Sequence, residues 1–283
     1  MKIQFLASVV ALAAIAGTAT AGISGPTAYG LSSSGTTIYT WDVNNPANTN
    51  FVGSITGLQS AETIDGIDFR PATGELYGVS NQSRIYKIST SNGAATQVGS
   101  AAFTPPIAGS SIGMDFNPTV DRIRITSSAG ENYRLHPVTG ALVFNDIALN
   151  GATNRSVASA YTNSFAGATS TTLYNLDSGT NSLYTQIPPN NGTTNLIGGL
   201  GVDFDDNAGF DIHGANAYAV LNTGANFSGF YQINLATGAA TLLGEVGDFQ
   251  RGTIFFKGLA IIPTPGAFGL VSLAGLASLR RRR

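Results

Sequence analysis

The feature that most limits how this 283-residue chain can fold is a recurring strand set that opens on Gly-x-Asp-Phe. Gly66-Ile67-Asp68-Phe69-Arg70-Pro71 precedes short alternating runs at 75–79, 84–88 and 93–99. The same order returns with Gly113-Met114-Asp115-Phe116-Asn117-Pro118, then runs at 122–125, 132–135 and 140–143. Each run holds β-branched and aromatic residues bounded by Gly, Pro, Asn or Asp, the pattern of a strand between turns. Gly66 and Gly113 are 47 residues apart, within the range of a four-stranded propeller blade. Helical 3.6-residue periodicity is missing from the body of the chain.

Two looser units follow, at 156–198 and 209–244, and the N-terminal runs at 27–31, 37–43 and 50–55 supply only three strands. The stretch 253–262 leaves one strand over, with Gly258-Leu259-Ala260-Ile261 standing where the other units have Gly-x-Asp-Phe. Pairing that strand with the N-terminal three predicts an all-β, five-bladed β-propeller, and such closure removes the exposed edges that invite aggregation. Six blades or an irregular β-sandwich are the alternatives. Cysteine is absent, so core burial alone must hold the domain together.

With these repeats in view, the chain resembles the bacterial family known as domain of unknown function 4394, a propeller-like repeat family. The resemblance rests on Gly66 to Pro71 with Leu76-Tyr77-Gly78, on the string from Asp115 to Arg124, on Tyr161-Thr162-Asn163-Ser164-Phe165-Ala166-Gly167-Ala168, and on Pro188-Pro189-Asn190-Asn191-Gly192. It spans nearly the whole body of the chain and carries no activity with it.

The two ends read as address labels. Lys2, an apolar stretch at 5–17 and Ala19-Thr20-Ala21 have the build of a secretory signal peptide. At the other end Pro263-Thr264-Pro265-Gly266 leads into an apolar run at 267–279 and then Arg280, Arg281, Arg282 and Arg283. Terminal arginines stay on the cytoplasmic side of a membrane. The apolar run would reach about 20 Å as a helix against a hydrocarbon core of about 30 Å, which suits a transient span better than a permanent anchor. This tail resembles the PEP-CTERM type of sorting signal, which implies processing by an exosortase. The expected division is therefore a signal peptide at 1–21, a single domain at 22–262 and a sorting tail at 263–283. Expected partners are signal peptidase, an exosortase-like enzyme and extracellular polysaccharide, with membrane contact only through the tail.

Charge excludes one class of function. Without Lys2 and the four terminal arginines, nine basic residues face 16 acidic ones, a net charge of −7. No electrostatic footprint for nucleic acid or anionic lipid results.

Candidate chemistry is sparse. Asp203, Asp205, Asn207 and Asp211 form the densest oxygen cluster and suit Ca²⁺, a hard ion that takes six to eight oxygens. The fit to a calcium loop is imperfect, since Gly209 comes one place late and Gly214 stands where a bidentate Glu belongs; a solvated acidic turn is the alternative. Asp68, Asp115 and Asp211 occupy comparable positions of successive inner strands. They could ring a ligand at the axis, or accept hydrogen bonds from neighbouring blades, as buried polar groups generally do. His136 and His213 lack partners at ligand spacing, and no nucleophile elbow or phosphate loop is present. Trp41 lies in an alternating strand and suits a core position as well as a stacking one. The sequence thus predicts an exported, non-enzymatic binding or structural propeller of the cell surface or extracellular matrix. The rivals are a hydrolase or lyase at the channel mouth and a calcium-dependent carbohydrate-binding module.

Overall fold

A computed structural model describes residues 25–224, 227–247 and 254–262. The leader at 1–21 and the tail at 263–283 lie outside the described residues. Within these, five antiparallel sheets follow one another around a common axis. Blade I is β1 (Thr27–Ser32), β2 (Thr37–Asp42) and β3 (Asn45–Ser54), completed by β21 (Phe256–Ile261). Blade II is β4 (Ile64–Phe69), β5 (Leu76–Ser80), β6 (Ile85–Ile88) and β7 (Ala95–Val98). Blade III is β8 (Ile112–Asn117), β9 (Arg122–Ser127), β10 (Asn132–Leu135) and β11 (Leu142–Asn145). Blade IV is β13 (Ala158–Tyr161), β14 (Leu173–Asp177), β15 (Ser182–Gln186) and β16 (Thr193–Gly199). Blade V is β17 (Ala208–His213), β18 (Asn216–Asn222), β19 (Ser228–Ile233) and β20 (Ala240–Val246). The innermost strands β4, β8, β13, β17 and β21 pack in that order, and β21 returns to β4.

Closure is the expected one: β21 pairs antiparallel with β1, Ala28 opposite Ile261 and Gly30 opposite Leu259. The backbone groups of β1 that would otherwise form an open edge are thereby satisfied. One strand was not foreseen. β12 (Asn150–Gly151) adds to the outer edge of blade IV in parallel with β16, because the chain passes along that edge before turning inward. Two residues with no apolar alternation leave no periodic signal to read. No helix among the described residues is long and apolar enough to cross a membrane.

Outer hairpins clasp the preceding blade. Asn92 caps the β6–β7 turn by accepting the Ala94 amide, and Gly93 takes φ +77°, a left-handed conformation suited to glycine. A Cβ on Gly93 would meet the Ser54 carbonyl of blade I at 2.7 Å. Gly238 (φ +84°) repeats the arrangement against Gly198 of blade IV.

Most of the core lies between the blades. Apolar clusters fill the I–II seam (Leu31, Ile38, Ile67, Tyr86), the II–III seam (Val79, Ile85, Phe116, Ile125), the IV–V seam (Leu176, Leu183, Phe210, Leu221) and the V–I seam. Trp41 sits in the V–I seam, 1% exposed, edge-on to Phe230 and tilted against Phe256. It is a core residue and offers no stacking face to a ligand. None of the four clusters spans blades III and IV, and that seam is built differently.

Candidate functional site

Repeat chemistry explains the axis. In each inner strand the side chain two places after the Gly (Ala158 in β13) falls on the same side of the pleat, facing the next blade. Gly66, Gly113, Gly209 and Gly258 allow close packing at the axis: a Cβ on Gly209 would lie 2.4 Å from the Leu259 nitrogen, and one on Gly113 would lie 2.3 Å from Ser159 Oγ. Blade IV has Ala158 at this place and tolerates it. The position two residues later is Asp68, Asp115, Ala160, Asp211 and Ala260 around the ring.

Two of the aspartates reach across to the following blade. Asp68 Oδ2 accepts the Phe116 amide at 2.8 Å and Asp211 Oδ2 accepts the Ile261 amide at 2.5 Å, while the Tyr161 and Phe116 amides near Asp115 only partly offset the effect of its burial. Where the preceding blade offers only alanine, an aspartate serves its own strand instead. Asp68 Oδ1 takes the Phe69 amide that Ala260 cannot reach, and Asp211 Oδ1 takes the Ile212 amide that Ala160 cannot reach. The four oxygens of Asp68 and Asp211 therefore satisfy four inner-strand amides. Asp115 Oδ1, by contrast, is buried without a hydrogen-bond partner.

The three groups also converge. One oxygen from each of Asp68, Asp115 and Asp211 lies within 4.8 Å of the others, and the residues are 3%, 2% and 3% exposed. Burial holds the Asp68 and Asp115 carboxyls well above the usual carboxylate range, and repulsion from the neighbouring acids adds to it. Burial pushes Asp211 up to about 7, against the opposing effect of its two amide donors. An oxygen-only cage of this kind can share protons or hold a hard cation. Beside it, a cavity of about 10 Å³ is lined by Gly66, Gly113, Ala158, Gly209 and Gly258.

The predicted calcium set is distributed differently. Asp203 is exposed and accepts from Asn181 Nδ2, while Asp205 accepts the Asn207 amide and lies near Asn222. Asp206, between them in sequence, takes Arg155 and Ser178. Asp211 is brought together with Asp68 and Asp115, and among the described residues no comparable acidic group includes Asp203 or Asp205. His213 is half-buried, and its imidazole is held below the usual range by burial.

The III–IV seam is a buried polar network that the sequence reading missed. Arg124, 1% exposed, donates to Asn132 Oδ1 (2.7 Å), Asp146 Oδ2 (2.7 Å), Asn190 Oδ1 (2.8 Å) and Tyr161 OH (3.2 Å). Gln186 bridges Asn132, Asn175 and the Pro189 carbonyl, while Thr126 and Ser156 meet at Ser159. Arg70 clamps Asp121 across the II–III boundary. The strings that carry the family resemblance hold a signal of the network: those ending at Arg124, beginning at Tyr161 and centred on Asn190 meet here. An open cleft of about 420 Å³ lies beside the Arg70–Asp121 pair, lined by Pro71, Pro118, Val120 and Ala166–Ala168.

The blades, their closure and the axial Gly-x-Asp device define a five-bladed β-propeller. A family model for the domain of unknown function DUF4394 matches residues 37–255, and the chain belongs to that family. No curated protein matches the sequence. Among solved structures, a chain of the nidogen/laminin complex is similar at 12% identity, with 84% of this chain and 98% of that one covered and a TM-score of 0.49. A Bacteroides thetaiotaomicron VPI-5482 protein of unknown function is similar at 10% identity over 69% of this chain and 53% of its own, with a TM-score of 0.46. BBS1N in complex with ARL6DN is similar at 14% identity over 72% and 57%, with a TM-score of 0.40.

Proposed function

We infer that the protein is an exported, non-enzymatic propeller that serves as a binding or structural component of the cell surface or extracellular matrix. The observation that carries this reading is the state of the axis. Its converging carboxyls are turned to backbone amides of neighbouring blades, and the space beside them holds about one water. At 2–3% exposed, the three aspartates offer a substrate almost no surface. Ligand contact then falls to surfaces such as the open cleft beside Asp121. The export half rests on the sequence of the two ends and on a sparsely charged composition, 11% Asp, Glu, Lys and Arg.

Expression of the full chain in a Gram-negative host with an exosortase, followed by fractionation, tests the export half. Recovery at the surface or in the medium is expected, with loss of processing when Arg280 to Arg283 become neutral, since orientation depends on those charges. Retention of the wild type in the cytoplasm would refute it. For the non-enzymatic half, turnover of a polysaccharide or ester by the purified domain, lost on Asp115→Asn, would refute the reading.

A further inference from the structure

We propose that Asp68, Asp115 and Asp211 hold one calcium ion on the propeller axis, as a keystone shared by the blades. Three observations carry this beyond the mere presence of acids. The first is an unpartnered oxygen: amides occupy all four oxygens of Asp68 and Asp211, whereas Asp115 Oδ1 remains buried with nothing to accept. An unmatched buried acceptor is costly, and natural interiors rarely keep one.

The second is charge. Three carboxylates within 4.8 Å of one another repel, and neutral amides reduce that repulsion without cancelling it. Among the described residues, the basic side chains of Lys257, Arg70 and His213 do not serve the cluster. Lys257 lines the cavity but gives its Nζ to Asp65 at 2.6 Å, and Arg70 is forked onto Asp121. The half-buried His213 is disfavoured as a cation by its burial.

The third is the donor set and the room around it. All ligands are oxygens, which select a hard ion, and three oxygens within 4.8 Å of one another can converge on one such ion. Calcium tolerates irregular geometry, whereas magnesium demands near-ideal octahedral geometry and parts reluctantly with its waters, which a buried site with room for about one water does not suit. A cavity at the level of the glycines two residues before these aspartates admits about one water. Because the three aspartates belong to blades II, III and V, and Asp68 and Asp211 bond on to blades III and I, an ion there couples four of the five blades.

The test uses the secreted protein as purified. Elemental analysis after dialysis should find about one calcium per chain. Because a buried ion exchanges slowly, the protein is then unfolded and refolded at pH 7.5 with calcium or with excess chelator. At calcium about a hundred times Kd, Tm should lie on the order of 5–10 °C above the chelator sample. Asp115→Asn should lose both the bound metal and the calcium response, whereas Asp205→Ala should keep both. Absence of metal together with equal Tm in the two refolding arms would overturn the proposal and leave the cluster as a proton-sharing set. Loss of the calcium response in Asp205→Ala would overturn it in favour of the surface turn. Should Asp115→Asn fail to fold, the metal analysis and the two wild-type refolding arms still decide. Export is untouched by any of these results.

Discussion

Gly209→Ala adds one methyl group at the place where blades V and I meet. Its Cβ would lie 2.4 Å from the Leu259 nitrogen and 2.5 Å from the Gly258 carbonyl carbon. Both are backbone atoms of β21, which is fixed on its other side by pairing with β1. No side-chain rotation relieves such a contact, so the blades must separate by several tenths of an ångström. That movement also stretches the Asp211 bond to the Ile261 amide, two residues along. Overpacking a tight interior costs about 1–3 kcal/mol, and the upper end applies here because backbone opposes backbone. For a domain of this size about 3 kcal/mol corresponds to a fall in Tm of roughly 6–12 °C. The matched comparison is Ala158→Gly, which opens no clash because blade IV already accommodates alanine; it should lower Tm far less. Scanning calorimetry of the wild type and both variants reads the difference. A Gly209→Ala Tm within about 1 °C of the wild type would refute the argument that close blade approach is what the glycine provides.

Arg124→Leu should destabilise by about 1–3 kcal/mol, because it leaves Asn132 and Asn190 short of a donor in a seam with no apolar cluster of its own, while Asp146 keeps the forked pair it makes with Arg134. Arg124→Lys should recover little of this, since a single ammonium cannot fork to four acceptors; urea titration of the three proteins checks both statements. In chelator, stability should fall as pH rises from about 4 to about 7. Asp211 keeps its proton up to about 7 in the folded protein, whereas the unfolded carboxyl releases it near 3.8, so the folded state binds more protons across that window. Urea midpoints at closely spaced pH values measure the slope, and Asp211→Asn should flatten it.

Periodicity reported the fold well because each blade repeats its alternation and its turn residues. The Gly-x-Asp pairs marked three of the five inner strands, and the Gly258-Leu259-Ala260-Ile261 substitution located the closing one. What the sequence could not convey is position around the ring. That Asp68, Asp115 and Asp211 converge depends on which blades carry alanine, and that bears on the axis only once five strands stand around it. Asp211 admits two readings in the sequence, a turn with Asp203 and Asp205 or a ring with Asp68 and Asp115, and the inner strand β17 carries it to the axis. The Arg124 network was hidden for a related reason. Arginine in a strand reads as solvent-facing, and only the loop that brings Asn190 across the III–IV seam buries it.

The central claim is that the ring is closed by its last strand and stands or falls as one unit. Calorimetry of the chain ending at residue 262 against one ending at Gly252 addresses it directly. Loss of β21 removes an inner strand from blade I and the Ile261 amide from Asp211, and exposes the backbone groups of β1. A single cooperative transition in the longer chain and none in the shorter is the predicted result; the same transition in both would contradict the closed propeller.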